Sequence, residues 1–406
     1  MGDIKQFTQR LKFVKGSDLA AIPAMCIGFF ASVPFRMAHR NIWLVCERKN
    51  EARDNGYWFY KYLCENHSEI ESVYAINKNG LDYAKVEKLG KVIQFGSIVH
   101  WMYYFAARWN ISSQKEGKPN AALCYLLEVY LGARKNRIYL KHGIMKDAQR
   151  WIYNDVSRIQ LLCCAAKREQ QFIIEKFGYP AHRVVLTGLA RFDNLLSEHE
   201  TKRQVVVMPT MREWLRSMSS DTVRYEGVAD FRKSEYFITW SSLLKSEKLH
   251  NILKKYDIRL LFYPHPAMQK YLNDFEIICD DIELASAQKY DMQRLLMESA
   301  VLITDYSSVF FDFAYMKKPV IYYQFDYEKY RRGQYQEGYF SYERDGFGPI
   351  AKTEEDLLFQ LTRCLENGLL LEEKYADRAD KFYVFHDTEN CRRIYDAIIS
   401  LGKPHG

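Results

Sequence analysis

Four short polar clusters hold the residue types that handle a phosphoryl group, and each follows an apolar run of β-type residues. Lys141-His142-Gly143 closes RIYLKHG (137–143). An imidazole at a strand end can exchange a proton near neutral pH, and the glycine after it permits a tight turn. Tyr263-Pro264-His265-Pro266 closes RLLFYPHP (259–266), where prolines on both sides fix the backbone around a second imidazole. Thr304-Asp305-Tyr306-Ser307-Ser308 closes VLITDYSS (301–308) and opens the helical pattern SVFFDFAYM. Hydroxyls and unpaired N–H groups at a helix start suit an anion, although Asp305 or Ser307 would serve equally as a simple N-cap. Asp312 lies one helical turn beyond Ser308, facing the same side or solvent. Pro209-Thr210-Met211-Arg212 follows the strand pattern QVVVM, and arginine binds phosphate through two parallel N–H donors. Together these point to phosphate chemistry with no metal and no cofactor. Asp280-Asp281 follows a strand, but two adjacent acids with no further acid at a ligand spacing are poor evidence for a cation.

Such clusters need strand ends to carry them, and the patterning supplies these. From residue 41, short β-type runs alternate with helical stretches: NIWLVCER (41–48), SVYAIN (72–77), KVIQFG (91–96), WNISSQ (109–114), RIYLKHG, IQLLCCAA (159–166) and RVVLTG (183–188). A polar run at 194–203 interrupts the alternation. It restarts with QVVVMPT (204–210), RLLFYPHP, FEIICD (275–280), VLITDYSS and PVIYYQFD (319–326). This order predicts an α/β protein of two doubly wound parallel sheets, 41–200 and 201–370, followed by a helical tail, 371–406. Ligands in such sheets bind beyond the carboxyl ends of strands. No GxGxxG, GxxxxGK[ST] or GxSxG is present, which weakens dinucleotide, P-loop and α/β-hydrolase readings.

The 406 residues are 48% hydrophobic and 27% charged, enough apolar material for sizeable cores and incompatible with a disordered chain. The net charge of +7 is mild and unfocused, so nucleic acid is not an expected partner. Nine scattered cysteines without a CxxC pair fit a reducing compartment. Residues 1–40 stand apart. The run from Ile22 to Phe35 is apolar but interrupted by Pro34, shorter than the roughly 20 residues that cross a bilayer. Lys5, Arg10, Lys12, Lys15, Arg36 and Arg40 surround it against only Asp3 and Asp18. The expectation is peripheral association with an anionic membrane surface, with a plain buried helix or a cryptic secretory signal as the alternatives.

ITDYSSVFFDFAYMKKPVIYYQFD, with KHG upstream, PTMR at the start of the second half, YPHP between and ERKNEARDNGYWFYKYL near the first strand, resembles the CDP-glycerol glycerophosphotransferases of teichoic-acid and capsule synthesis. The resemblance implies a GT-B architecture, with two Rossmann-like domains facing across a cleft. It also implies transfer of glycerol phosphate, or ribitol phosphate, from a CDP-activated donor to an acceptor hydroxyl on a lipid-linked or glycan acceptor, at the cytoplasmic face of the membrane. On that basis His142 is the expected base. His265, Arg212, Ser307 and Ser308 are the expected diphosphate ligands, and Thr304, Asp305 and Asp312 supporting donor-side residues. Glu51, Asp54 and Asn55, after the first strand, are expected on the acceptor side. Competing expectations are a GT-B glycosyltransferase using a nucleotide sugar and a catalytically inactive nucleotide-binding or membrane scaffold.

Overall fold

The computed structural model describes residues 14–130, 136–215, 231–334 and 337–402. The chain divides into two compact units, Met1–His142 with Gln149–Asn194 and Asp387–Gly406, and Gly143–Ala148 with Leu195–His386.

In the first unit, β1 (Ile42–Cys46), β2 (Glu71–Ile76), β3 (Val92–Gln94), β4 (Trp109–Ser112), β5 (Arg137–Tyr139), β6 (Leu161–Cys164) and β7 (Val184–Leu186) form a parallel sheet in the order β3-β2-β1-β4-β5-β6-β7. Every residue of β1 is buried, as parallel strands covered by helices on both faces require. Trp43 and Val45 point into one apolar layer with Phe59, Leu63 and Ile394; Leu44 and Cys46 point into the other with Val73, Trp101 and Tyr104. The covering helices include α1 (Ile22–Ala38), α2 (Asn55–Asn66), α3 (Ile98–Ala106) and α4 (Lys167–Phe177).

The second unit carries β8 (Lys202–Met208), β9 (Arg259–Phe262), β10 (Ile282–Leu284), β11 (Ser299–Thr304), β12 (Val320–Tyr323) and β13 (Ile350–Ala351), also parallel, in the order β10-β9-β8-β11-β12-β13. Its helices include α5 (Glu247–Lys255), α6 (Val309–Tyr315) and α7 (Glu373–Phe382), while α8 (Asn390–Leu401) returns to the first unit. Each sheet reverses its strand order once, between β1 and β4 and between β8 and β11. The carboxyl ends at those reversals are where a doubly wound sheet opens a crevice.

Three expectations are corrected. FEIICD is not a strand: Phe275 is buried, but Ile277 and Ile278 are 39% and 49% exposed, and the edge position beside β9 is filled by β10 instead. The helical tail is divided, because α7 packs on α6 in the second unit and the apolar face of α8 packs on α2 in the first. The N-terminal apolar stretch is longer than the run between its prolines suggests. Residues Gly16–Ala38 make 23 residues of helix, apolar enough by length and composition to cross a membrane. Pro23 sits in the first turn, where its missing N–H costs nothing. One side of α1 packs on α3 so closely that a Cβ at Gly28 would lie 2.5 Å from Trp101 Cβ, so only glycine fits there.

Candidate active site

At the strand-order reversal of the first unit, the loop after β1 leads into α2, and Asp54 caps that helix by accepting from Asn55 N–H (2.8 Å). Lys141, past the end of β5, takes a left-handed backbone (φ 62°) that a lysine adopts only under constraint. Its ammonium is fully buried against Glu169, and its carbonyl accepts from Asn55 Nδ2 (2.7 Å). The chain is thereby turned so that His142 Nδ1 lies 2.5 Å from Asp54 Oδ2. Gln114, just past β4, reaches the same oxygen with its amide nitrogen (2.7 Å), and that nitrogen is also 2.9 Å from His142 Nδ1. Two N–H groups cannot donate to each other, so both donate to the carboxylate, which places the imidazole proton on Nδ1. In the neutral ring Nε2 then carries the lone pair, on a side chain that is 51% exposed. Arg191 completes the bracket, donating from Nη1 to Asp54 Oδ1 (2.9 Å) and to the His142 carbonyl (2.6 Å). Burial alone would raise the Asp54 pKa, but His142, Arg191 and the Asn55 N–H outweigh it and hold the carboxyl below its usual range. An ionised carboxylate behind an imidazole is the arrangement that orients a base and stabilises its protonated form.

Glu47 closes the floor of this site. It is 2% exposed and accepts from Ser113 Oγ (2.5 Å), Gly56 N–H (2.7 Å) and Tyr74 Oη (2.9 Å). A Cβ at position 56 would sit 2.7 Å from Glu47 Cγ, so glycine is needed for this approach. Burial, and then the Asp54 charge, push Glu47 up to about 7 against those three hydrogen bonds. Because the folded value lies above the unfolded one, folding takes up a proton between them. Glu47's contribution to stability is therefore full below about 4.5 and lost as pH rises through about 7. Glu47→Gln cannot ionise but keeps an acceptor for Ser113 and Gly56. Urea unfolding should show the variant gaining on wild type by about 1–3 kcal/mol between about pH 5 and pH 8. A difference that does not change with pH would contradict this.

In the second unit the reversal lies between β8 and β11. Thr304 Oγ1 donates to the Met208 carbonyl (2.7 Å), tying the two strand ends together. Asp305 Oδ1 accepts from the N–H groups of Thr210 (2.9 Å) and Tyr306 (2.6 Å). Arg212 is fully buried and pairs through Nε and Nη2 with Asp326 (2.7 and 3.0 Å). Its Nη1 donates to the Thr210 carbonyl (2.6 Å) and lies 2.8 Å from Asp305 Oδ2, an ionic contact without hydrogen-bond alignment. Rings of Tyr236, Tyr306, Phe325 and Tyr330 surround the guanidinium. Burial opposes the charge, and the two carboxylates more than offset that. On this frame stand Ser307, Ser308 and His265. Ser307 and Ser308 are half-buried; Ser308 precedes α6 without capping it through its side chain, and Ser307 Oγ makes only a 3.5 Å contact with Val309 N–H. His265, after β9, is half-buried and accepts Ala267 N–H at Nδ1 (3.2 Å), so its neutral ring carries the proton on Nε2. The two neutral rings are thus set up oppositely, with the proton on Nδ1 in His142 and on Nε2 in His265.

The family model for CDP-glycerol:poly(glycerophosphate) glycerophosphotransferases matches residues 29–400. The chain belongs to that family. It is 32% identical over 373 residues to the minor teichoic acid biosynthesis protein GgaB of Bacillus subtilis, covering 89% of this chain but only 40% of that protein. It is 23% identical over 372 residues to a teichoic acid poly(glycerol phosphate) polymerase of Bacillus spizizenii, covering 84% and 87%. Among solved structures, the wall teichoic acid polymerase TagF aligns over 98% of each chain at 17% identity with a TM-score of 0.62, a likeness of fold. A putative UDP-N-acetylglucosamine 2-epimerase from Listeria monocytogenes shares the architecture (TM-score 0.57, 14% identity, 89% of this chain and 96% of that one). The fold is GT-B, as the sequence resemblance implied.

Within this family member, the residues singled out from sequence take different places. His142 and Asp54 come together, and Ser307, Ser308 and His265 lie half-buried past the ends of their strands. Arg212, Thr304 and Asp305 are corrected from ligand to frame, since each is fully buried and its polar atoms serve strand ends and ion pairs. Asp312 is 2% exposed, inside α6 rather than on an open side. Asn55 is fully buried, its amide spent on the Lys141 carbonyl and the Arg191 N–H (2.9 Å). Glu51 lies at the surface, paired with Arg48 (3.3 Å). Glu47, Gln114, Arg191 and Asp326 were not anticipated. The first two and Asp326 sit at the ends of strand runs, so weighing the residues just past every strand, not only the His- and Ser-bearing ones, would have found them.

Proposed function

We propose that this chain transfers glycerol phosphate from CDP-glycerol to an acceptor hydroxyl in teichoic-acid synthesis. The observation that carries the reading is the His142 ring, paired through Nδ1 with the Asp54 carboxylate (2.5 Å) on a side chain that is half exposed. The family model and the relatives named above support the donor, and TagF has been studied with CDPG. In the reaction, the acceptor oxygen forms a bond to the β-phosphorus of the donor while its proton passes to His142 Nε2. The bond from that phosphorus to the bridging oxygen breaks, and its electrons leave with CMP. His265 Nε2–H and the Ser307 and Ser308 hydroxyls donate to the diphosphate, where negative charge grows as CMP departs. Arg191 helps keep Asp54 ionised, and the Gln114 amide helps hold it in place.

A donor screen tests the reading. Purified protein with a lipid-linked glycerol-phosphate acceptor should release CMP from CDP-glycerol and lengthen the acceptor by one or more glycerol-phosphate masses. Preference for CDP-ribitol would change the alditol; UDP release from a UDP-sugar with no CMP release would overturn the reaction class. Replacing Ser307 and Ser308 together by alanine should raise the donor KM by about 10- to 100-fold, two hydrogen bonds to a charged group being worth about 1.5–3 kcal/mol each before compensation. Stability should hold because neither hydroxyl caps α6 strongly. An unchanged KM would remove them from the donor site.

The place of action is the cytoplasmic membrane surface. Phe30 and Met37 are 72% and 75% exposed on α1, with Ile27, Val33 and, on α3, Ile98 and Val99 also in solvent, and Arg36 and Arg40 beside them. That is an apolar face with a basic rim, suited to the interface of an anionic leaflet. Removing α1 would also bare the face of α3 it covers, so point changes are the cleaner probe. Phe30→Glu with Met37→Glu should weaken binding to phosphatidylglycerol vesicles at least about tenfold, given roughly 1.5–3 kcal/mol per large apolar side chain. Unaltered binding would place the contact elsewhere.

A further inference from the structure

The second unit holds a group of side chains that the transfer chemistry does not use. His250 on α5, Cys279 in the turn before β10 and Asp281 immediately before β10 bring their ligand atoms within 4.8 Å of one another. His250 Nδ1 is 3.6 Å from an Asp281 carboxylate oxygen, too far for a hydrogen bond. That nitrogen is shut off from solvent and has no hydrogen-bond partner among the described residues. A buried ring nitrogen left unsatisfied is costly unless something binds it. Two ligands of one tetrahedral Zn²⁺, with metal–ligand bonds of about 2.0–2.3 Å, stand about 3.3–3.8 Å apart, and the His250–Asp281 spacing falls in that range. Cys279 is a free, half-buried thiol. Asp281 is fixed by its backbone, since its carbonyl accepts from Leu260 N–H (2.8 Å) at the start of β9.

We propose that His250 Nδ1, Cys279 Sγ and an Asp281 carboxylate oxygen form a Zn²⁺ site, with water as the fourth ligand. The donor set decides the metal class. One thiolate and one imidazole with a carboxylate select a borderline-soft divalent ion and disfavour Mg²⁺ and Ca²⁺, which take oxygen ligands. On binding, the Cys279 S–H bond gives up its proton to buffer and the sulfur bonds the metal, so affinity rises with pH. The site lies at the amino ends of β9 and β10, the opposite end of those strands from His265, and it ties α5 to the edge strand of the sheet. Its role is to clamp that edge, not to take part in the transfer. Sequence spacing hid it, because His250 lies far along the chain from the Cys279-Asp280-Asp281 turn and the two acids alone are a poor cation signature.

Co²⁺ added to chelator-treated full-length protein is the probe. Wild type should bind about one ion with the near-ultraviolet thiolate-to-metal band, and Zn²⁺ should displace it and raise Tm. Cys279→Ser should abolish the band and His250→Ala should weaken Zn²⁺ at least about 100-fold, more than the loss of an outer-shell partner costs. Cys364→Ser, a half-buried thiol elsewhere, should change neither. Absence of the band in wild type, its survival in Cys279→Ser, or a Zn²⁺-induced Tm rise equal in wild type and His250→Ala would each overturn the proposal.

Discussion

His142→Ala lowers kcat by about 10²–10⁴-fold, the usual worth of a positioned general base, while CDP-glycerol still binds with near wild-type affinity. The split arises because His142 is assigned to proton transfer and not to holding the diphosphate. Asp54→Asn tests the same element from behind. An amide at that position presents an NH₂ to Nδ1 or forces the ring to place its proton on Nε2, removing the lone pair that accepts the acceptor's proton. Turnover should fall by about 10²-fold or more, on the precedent of tautomer-disrupting changes behind catalytic imidazoles. The steady-state measurement is CMP release, paired with equilibrium dialysis of donor. Near-normal kcat in His142→Ala, or a loss of donor binding that accounts for the whole defect, would remove His142 as base.

Arg212→Met has its effect on folding. The substitution leaves Asp305 and Asp326 buried with no cation between them, a loss of about 3–5 kcal/mol for breaking a buried ion pair from one side. Urea unfolding of the full chain should register it. Asp326→Asn, which leaves Arg212 its contact with Asp305, should cost less. For whatever fraction folds, donor KM should stay within a few-fold of wild type, because the guanidinium is fully buried and its donors point to Asp326 and the Thr210 carbonyl. Unchanged stability together with a large rise in donor KM would return Arg212 to the role of phosphate ligand.

The contrast between these two residues marks what could be read along the chain. Strand ends were visible because parallel strands buried on both faces read as continuous apolar runs, and chemistry placed just past them could be named: His142, His265, Ser307 and Ser308. What the order of residues did not reveal is which charged side chains meet each other. Arg212 after β8 looks as apt for phosphate as any arginine until Asp326, beyond β12, takes two of its donors. Asp54 read as one of three polar candidates near the first strand. Its rank over Glu51 and Asn55 comes from β5 and β7 bringing His142 and Arg191 to it, a long-range convergence that no local pattern encodes. Glu47 was hidden differently. It ends an apolar strand run, and only the reversal of strand order between β1 and β4 makes that end a crevice. The edge strand misread at 275–280 has a simpler origin, since a run of apolar residues fits a strand whether or not a neighbouring segment has taken the edge.

The protonation site on His142 is the quantity on which the proposed chemistry depends, and ¹⁵N-resolved NMR of histidine-labelled protein near neutral pH reads it directly, with His142→Ala assigning the signal. A proton on Nδ1 and an unprotonated Nε2, lost in Asp54→Asn, is the predicted result. A ring carrying its proton on Nε2 in the wild-type protein would contradict a base at this position.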